Sequence, residues 1–247
     1  MAIDPSAVIA PSARIHTDAV VGPRTRIGEF CVIEQDVTIG ADCVFEPYCF
    51  VKRWTSLGDG NEISAGTALG TDPLDKGFTG ERSYLRIGNG NKIREHYTIS
   101  RGTKPESVTT IGDLNYIMTS GHVAHNCTLG SNLVIASCSL VAGYVEVEDQ
   151  AFISGGVVIH QYSKIGRLAM VAGSGMSPAG TDPSSGGEGW WVAAHAYSVL
   201  DYDDAAQTIT LRNPWGARPA PDGVFTLPLT TFLATYDSYS TSAPPGK

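Results

Sequence analysis

The chain has 247 residues and a formal net charge of −8, with 17 Lys and Arg against 25 Asp and Glu; 42% of it is hydrophobic and 17% charged, with 28 Gly and 5 Cys. That apolar content excludes a disordered chain, and the length allows one or two domains with a sizeable core. No stretch reaches the roughly 18–20 uninterrupted apolar residues of a membrane span, and Met1-Ala2-Ile3-Asp4 lacks the basic-then-apolar layout of a secretory signal. With its acidity and no Lys/Arg run longer than two, the expectation is a cytoplasmic protein with no nucleic-acid partner and no membrane insertion. The odd cysteine number, without a C-x-x-C pair, points to reduced buried thiols rather than a disulfide framework or a zinc knuckle.

From the N-terminus onward a six-residue period governs the chain. Every sixth residue is aliphatic, with one Phe, from Ile9 to Leu69, from Ile87 to Ile99 and from Ile111 to Val171, giving twenty-five hexads in a single phase. Neither a 3.6 nor a 2.0 period survives over such a length, so neither helices nor ordinary alternating strands account for it. The position two before the aliphatic is small (Ala7, Ala13, Thr25, Cys31, Cys43, Cys49, Cys127), and the one after is often Gly (Gly22, Gly28, Gly40, Gly58, Gly70, Gly88, Gly112, Gly130, Gly166), as a corner of unusual φ/ψ would require. The expected fold is all-β, a parallel β-helix of triangular section, a hexapeptide-repeat solenoid in which like residues stack every eighteen. Four of the thiols then become compact fillers of the small ladder.

Two segments depart from the pattern while keeping its phase. At the in-phase positions Asp75, Glu81 and Pro105 no rung can form, so 70–86 and 100–110 are expected to loop out of the solenoid. Beyond them, stepping by eighteen puts His125, Gly143 and Gln161 in one column, His160 beside it, and Asn126, Tyr144 and Tyr162 in the next. A corner histidine stacked against a glycine has room for a substrate, as a general base needs. The competing use of His122, His125 and His160 is a metal site, which the absence of neighbouring carboxylates disfavours.

The segments IGNGNKIREHYTISRGT, GHVAHNCTLG and LVAGYVEVEDQAFISGGVVIHQYSKIG give residues 3–173 a resemblance to the acyl-ACP:UDP-N-acetylglucosamine O-acyltransferases of lipid A biosynthesis. The resemblance implies a left-handed parallel β-helix and a homotrimer with active sites between subunits, partnered by acyl carrier protein and a UDP-sugar. It implies transfer of a 3-hydroxyacyl group to the sugar 3-hydroxyl without a cofactor. Position by position it makes His125 the general base, with Asn126 beside it and the backbone N–H near Gly143 facing the oxyanion. His122, Tyr144, His160 and Gln161 would line the sugar-nucleotide site, Asp75 and Lys76 would reach it from the first loop, and Gly173 would bound the acyl pocket, favouring a longer chain. Asn126 replaces the family's usual Asp, which should weaken the base; Tyr144 replaces a histidine, and Leu74 a glutamine.

The hexads stop after Gly173. Residues 174–189, rich in Gly, Ser and Pro, read as a flexible linker, and 190–247 as a β-rich tail module with strands at about Trp190–Tyr202 and Thr208–Arg212. HAYSVL, LRNPWG and DGVFTLPLTTFLATY resemble the His/Asn half of a calpain-type cysteine protease domain, which would make His195 and Asn213 the base and its orienter. No cysteine here has the setting of that family's nucleophile, so the tail is expected to be a protease-like remnant without catalysis. The sequence thus leaves three readings: an acyltransferase, a peptidase fragment completed by another chain's Cys, or a catalytically silent trimeric scaffold.

Overall fold

The computed structural model describes residues 2–173, 196–203, 205–212, 224–228 and 230. Short strands recur every six residues, starting with Ala2–Ile3, Val8–Ile9 and Arg14–Ile15. Each is joined in parallel by the strand one turn later: Val20–Val21, Arg26–Ile27 and Val32–Ile33 respectively. Three sheets of nine, twelve and eight strands result, forming the first, second and third faces of the parallel β-helix that the hexads imply, left-handed as in the family it resembles.

The aliphatic ladder is the core. Ile27, Ile33, Ile39, Ile63, Ile93, Ile135 and Ile153 are all buried, and each such side chain contributes about 1.5–3 kcal/mol through removal from water. Ile3, Ile9 and Ile15, in the first turn with a neighbour on one side only, are partly buried against it. Cys31, Cys43, Cys49 and Cys127 are buried on the small ladder, whereas Cys138 is exposed.

The glycines that follow the rungs need a different explanation from the one their sequence suggests. Of the nine, only Gly70 has a positive φ. The left-handed residue lies two places further on and is usually not glycine: Arg24 (φ 56), Asp42 (φ 55), Leu114 (φ 57), Asn132 (φ 58). What the glycine provides is proximity, since a Cβ on Gly22 would lie 2.5 Å from the carbonyl carbon of Gly40, and one on Gly112 would lie 2.6 Å from the oxygen of Gly130.

Both departures from the repeat leave the solenoid at the corner between the third and first faces. Leu57 stacks on Ile87, thirty residues away, and Ile87 on Ile111, twenty-four away. The loops therefore add twelve and six residues to an eighteen-residue turn, which is why the phase survives them. At the far end, Met170–Gly173 is joined antiparallel by Ala196–Asp203, then by Thr208–Arg212 and Val224–Pro228. The third of these strands is additional to the two read from the sequence. Its Pro228 terminates an edge, where a missing N–H is tolerated. No helix among the described residues is long and apolar enough to cross a membrane.

Candidate active site

The corner from the third to the first face carries the candidate chemistry. Val123 closes a third-face strand, and the chain then turns through Ala124, His125 and Asn126 to Cys127, which is buried on the small ladder. The turn requires a left-handed residue at Asn126 (φ 59), one turn later at Tyr144 (φ 60) and two turns later at Tyr162 (φ 65). Asn tolerates this conformation because its short side chain can bond locally. The Asn126 N–H is anchored on Thr109 Oγ1 at 2.8 Å.

His125 is only 7% exposed. Its Nδ1 lies 3.1 Å from Asn126 Oδ1, and the edge of the ring meets Tyr144 in a T-shaped contact at 5.3 Å. Tyr144 in turn stacks on Tyr162 at 5.1 Å. The opposite edge of the imidazole faces Gly143, where an added Cβ would come within 2.5 Å of Cε1 and 2.8 Å of Nε2. A glycine is thus the condition for the ring to lie where it does.

The backbone beside this ring has an uncapped donor. In the equivalent place on an earlier turn, the Arg53 N–H is capped by Glu34 Oε2 at 3.0 Å; the N–H groups of Ala65 and Arg167 are capped in the same way by Glu46 and Glu148 at other corners. Each glutamate lies nineteen residues before the N–H it caps. The corresponding position for Gly143 is Ala124, which has no carboxylate, and the Gly143 N–H has no hydrogen-bond partner among the described residues. An N–H that donates to a carboxylate oxygen elsewhere in the fold is left open to another anionic oxygen here.

On the third face, His122 Nδ1 is 2.7 Å from Thr98 Oγ1, while its buried Nε2 has no partner among the described residues. Burial, followed by the nearby His125, pulls His122 below the usual histidine range and favours the neutral ring, with a partly opposing contribution from Thr98. His122 lines a cavity of about 520 Å³ with Leu74, Thr98, Leu140, Ala142 and Val158. That wall is largely apolar, with one unpartnered ring nitrogen in it.

The loops are fastened by a buried cation. Arg101, 1% exposed, pairs with Asp72 at 2.5 Å, donates to Gly70 O at 3.2 Å, and lies over the rings of Trp54 and Phe78. Lys52 also pairs with Asp72 at 3.1 Å. Burial works to raise the Asp72 carboxyl, but hydrogen bonds and charges from Lys52 and Arg101 outweigh it and hold the group below the ordinary range.

Of the residues singled out from sequence, His125, Asn126, Gly143 and Tyr144 come together, with His122 next to them. His160 and Gln161 lie two turns away and are exposed, His160 Nδ1 being 3.1 Å from Gln161 O. Asp75 and Lys76 are exposed on the first loop, where Asp75 Oδ1 accepts from the Gly77 N–H at 2.8 Å. Gly173 ends a second-face strand and pairs with Ala196. His195 and Asn213 lie outside the described residues. Among the described residues no three His, Cys, Asp or Glu side chains are grouped as a metal ion would need. Sequence reasoning assigned no role to Arg101 or Thr103, because both lie in an insertion where stepping by eighteen has no meaning.

Comparison with known proteins follows the same outline. A family model described as bacterial transferase hexapeptide (six repeats) matches residues 18–53. The acyl-(acyl-carrier-protein) UDP-N-acetylglucosamine O-acyltransferase of Synechocystis is 46% identical over 119 residues, 48% of this chain and 43% of that protein. Among solved structures, LpxA of Bacteroides fragilis, a UDP-N-acetylglucosamine acyltransferase, is 34% identical with a TM-score of 0.64, covering 65% of this chain and 63% of that one. The Arabidopsis UDP-N-acetylglucosamine acyltransferase is 33% identical with a TM-score of 0.58, covering 67% and 71%. The chain spans less than half the length of the curated relatives it matches.

Proposed function

This chain belongs to the UDP-N-acetylglucosamine O-acyltransferase family, and from that premise we propose that it moves a 3-hydroxyacyl group from acyl carrier protein to the 3-hydroxyl of UDP-N-acetylglucosamine, with His125 as general base. The observation that carries the reading is His125 itself, held at Nδ1 by Asn126 and open at Nε2 toward Gly143. Nε2 takes the proton of the sugar hydroxyl as its oxygen attacks the thioester carbonyl. The charge that develops on the carbonyl oxygen meets the uncapped N–H of Gly143. As the C–S bond breaks, the imidazolium returns its proton to the departing thiolate.

The rest of the site suits these reactants. His122, neutral through burial, offers a hydrogen-bonding nitrogen in an apolar wall suited to an acyl chain. Gly173, lacking a side chain, favours a longer acyl group. The His125 corner joins the third and first faces, whereas Gly173 ends a second-face strand, so a shared pocket requires a second copy of the chain. On this reading the chain works as a homotrimer with active sites between subunits, in the cytoplasm.

The test is acyl transfer from 3-hydroxyacyl carrier protein to UDP-N-acetylglucosamine by the chain and by His125→Ala. The variant is expected to lose about 10³-fold in kcat. Equal rates in the two proteins would overturn the proposal.

A further inference from the structure

The Asn126 oxygen that faces His125 accepts more than one hydrogen bond. The N–H of Thr103 reaches it at 3.0 Å and Thr103 Oγ1 at 2.9 Å. Thr103 belongs to the second loop, is 7% exposed, and its hydroxyl is also 3.2 Å from the Tyr144 hydroxyl. A backbone N–H only donates, so the side-chain atom opposite it must be the amide oxygen and not the NH2 group. Because the same oxygen faces the imidazole, the ring atom next to it must be a donor as well. His125 therefore carries its neutral-state proton on Nδ1 and leaves the Nε2 lone pair toward Gly143. The chain of donors runs from Tyr144 O–H to Thr103 Oγ1, from Thr103 O–H to Asn126 Oδ1, and from His125 Nδ1–H to the same Oδ1.

From this we infer that Thr103 is a positioning residue for acyl transfer: it fixes the rotation of the Asn126 amide, and through it the tautomer of His125. The inference rests on the proposed function of His125 and adds what aligns it. An aspartate in place of Asn126 would offer oxygens on both sides and need no such lock. An amide has one acceptor end and one donor end, and turned over it would present NH2 to Nδ1, move the imidazole proton to Nε2 and leave no base facing the substrate. The second loop thereby acquires a purpose, since an uninterrupted hexad would place no hydroxyl and N–H together above this corner. Tyr144 serves the same end by accepting nothing from the ring and orienting the Thr103 hydroxyl.

Nitrogen-15 NMR of the full-length chain reads the tautomer directly and does not depend on turnover. In the unmodified protein, neutral His125 is expected to show a protonated Nδ1 and a bare Nε2. Thr103→Val keeps the volume and the backbone N–H but removes the hydroxyl, one of the two donors that hold the Asn126 oxygen; it is expected to add a detectable Nε2-protonated tautomer and to lower kcat about 10-fold with KM changed less than about twofold. Thr103→Ser is expected to restore both to within about threefold, and Tyr144→Phe to lower kcat about two- to fivefold. A protonated Nε2 in the unmodified chain, or an unchanged tautomer and kcat in Thr103→Val, would overturn the inference. An unmodified chain that transfers no acyl group would overturn the proposed function instead, with the tautomer ratio in Thr103→Val still deciding whether Thr103 sets the ring.

Discussion

Two corners of this solenoid share a backbone and differ in everything attached to it. From the first face to the second, the corner repeats Gly22, Gly40, Gly58, Gly88, Gly112 and Gly130, and its polar side chains bond to the next turn: Ala41 N–H to Asp59, Asp59 N–H to Asn89, Asn89 N–H to Asp113. Beneath that line runs a buried ladder in which Asn91 N–H bonds Asn61, Asn115 N–H bonds Asn91, and Leu133 N–H bonds Asn115, each at 2.8–3.0 Å. From the third face to the first, the corner has the same left-handed residue in the same place. Yet it emits both loops and leaves an imidazole edge, a backbone N–H and two tyrosine rings facing outward. A polar side chain that closes on its neighbour stabilises the fold; one held by its neighbour and open on its other edge is available for chemistry.

Exchange of one glycine in each corner breaks this comparison most sharply. Gly143→Ala would push its methyl against the His125 ring, while Gly112→Ala would push against the Gly130 carbonyl. The first is expected to lower acyl transfer about 100-fold with little change in melting temperature. The second is expected to destabilise by about 2–3 kcal/mol, with activity per folded molecule kept. Calorimetry and turnover measured on both variants check the pair; the reverse pattern would erase the distinction between the corners.

Asn91→Ala comes next, because it strands the Asn115 N–H inside the structure and leaves Asn61 Oδ1 with only the backbone N–H of residue 91. A loss of about 2–3 kcal/mol in denaturant unfolding is expected, again with unaltered specific activity. In the other corner, Asn126→Asp supplies a charge to the Nδ1–H of His125 and should raise kcat about three- to tenfold, displacing the acid limb of the pH–rate profile upward. Burial pushes the neighbouring Cys127 thiol up to about 11 and keeps it uncharged, so the new carboxylate would dominate. The smallest effect is a stability slope. Burial depresses His122, so between its ordinary value near 6.5 and its lower folded value the unfolded chain binds more protons than the folded one. Stability is then full above that window and declines as pH falls through it, and thermal melts of His122→Gln should show a shallower decline.

Much of this was legible before any coordinates. The hexads located the rungs from Ile9 to Val171, and stepping by eighteen placed Gly143 and Tyr144 against His125 and Asn126. That arithmetic works because a solenoid turns long-range contact into a fixed separation along the chain. It fails where the separation changes, and for that reason Thr103, which bonds Asn126 from twenty-three residues away, and Arg101 beneath the first loop were not assigned. The corner glycines were located correctly but for the wrong reason, since a pattern of glycines does not distinguish a positive φ from a close approach. Tyr97, buried on a ladder of small residues with its hydroxyl unpartnered among the described residues, faces Gly121, an exchange of volume between turns that no single position reveals.

Seventeen non-glycine residues between Arg24 and Leu168 sit in the left-handed region, among them Phe30, Trp54, Leu114 and Tyr144. Each is disfavoured locally by about 1–2 kcal/mol. No isolated hexad would therefore bend of its own accord, and a corner becomes favourable only when a finished turn is present to receive its hydrogen bonds and its rung. Assembly should accordingly proceed as templated growth from turn to turn, with each completed triangle serving as the mould for the next.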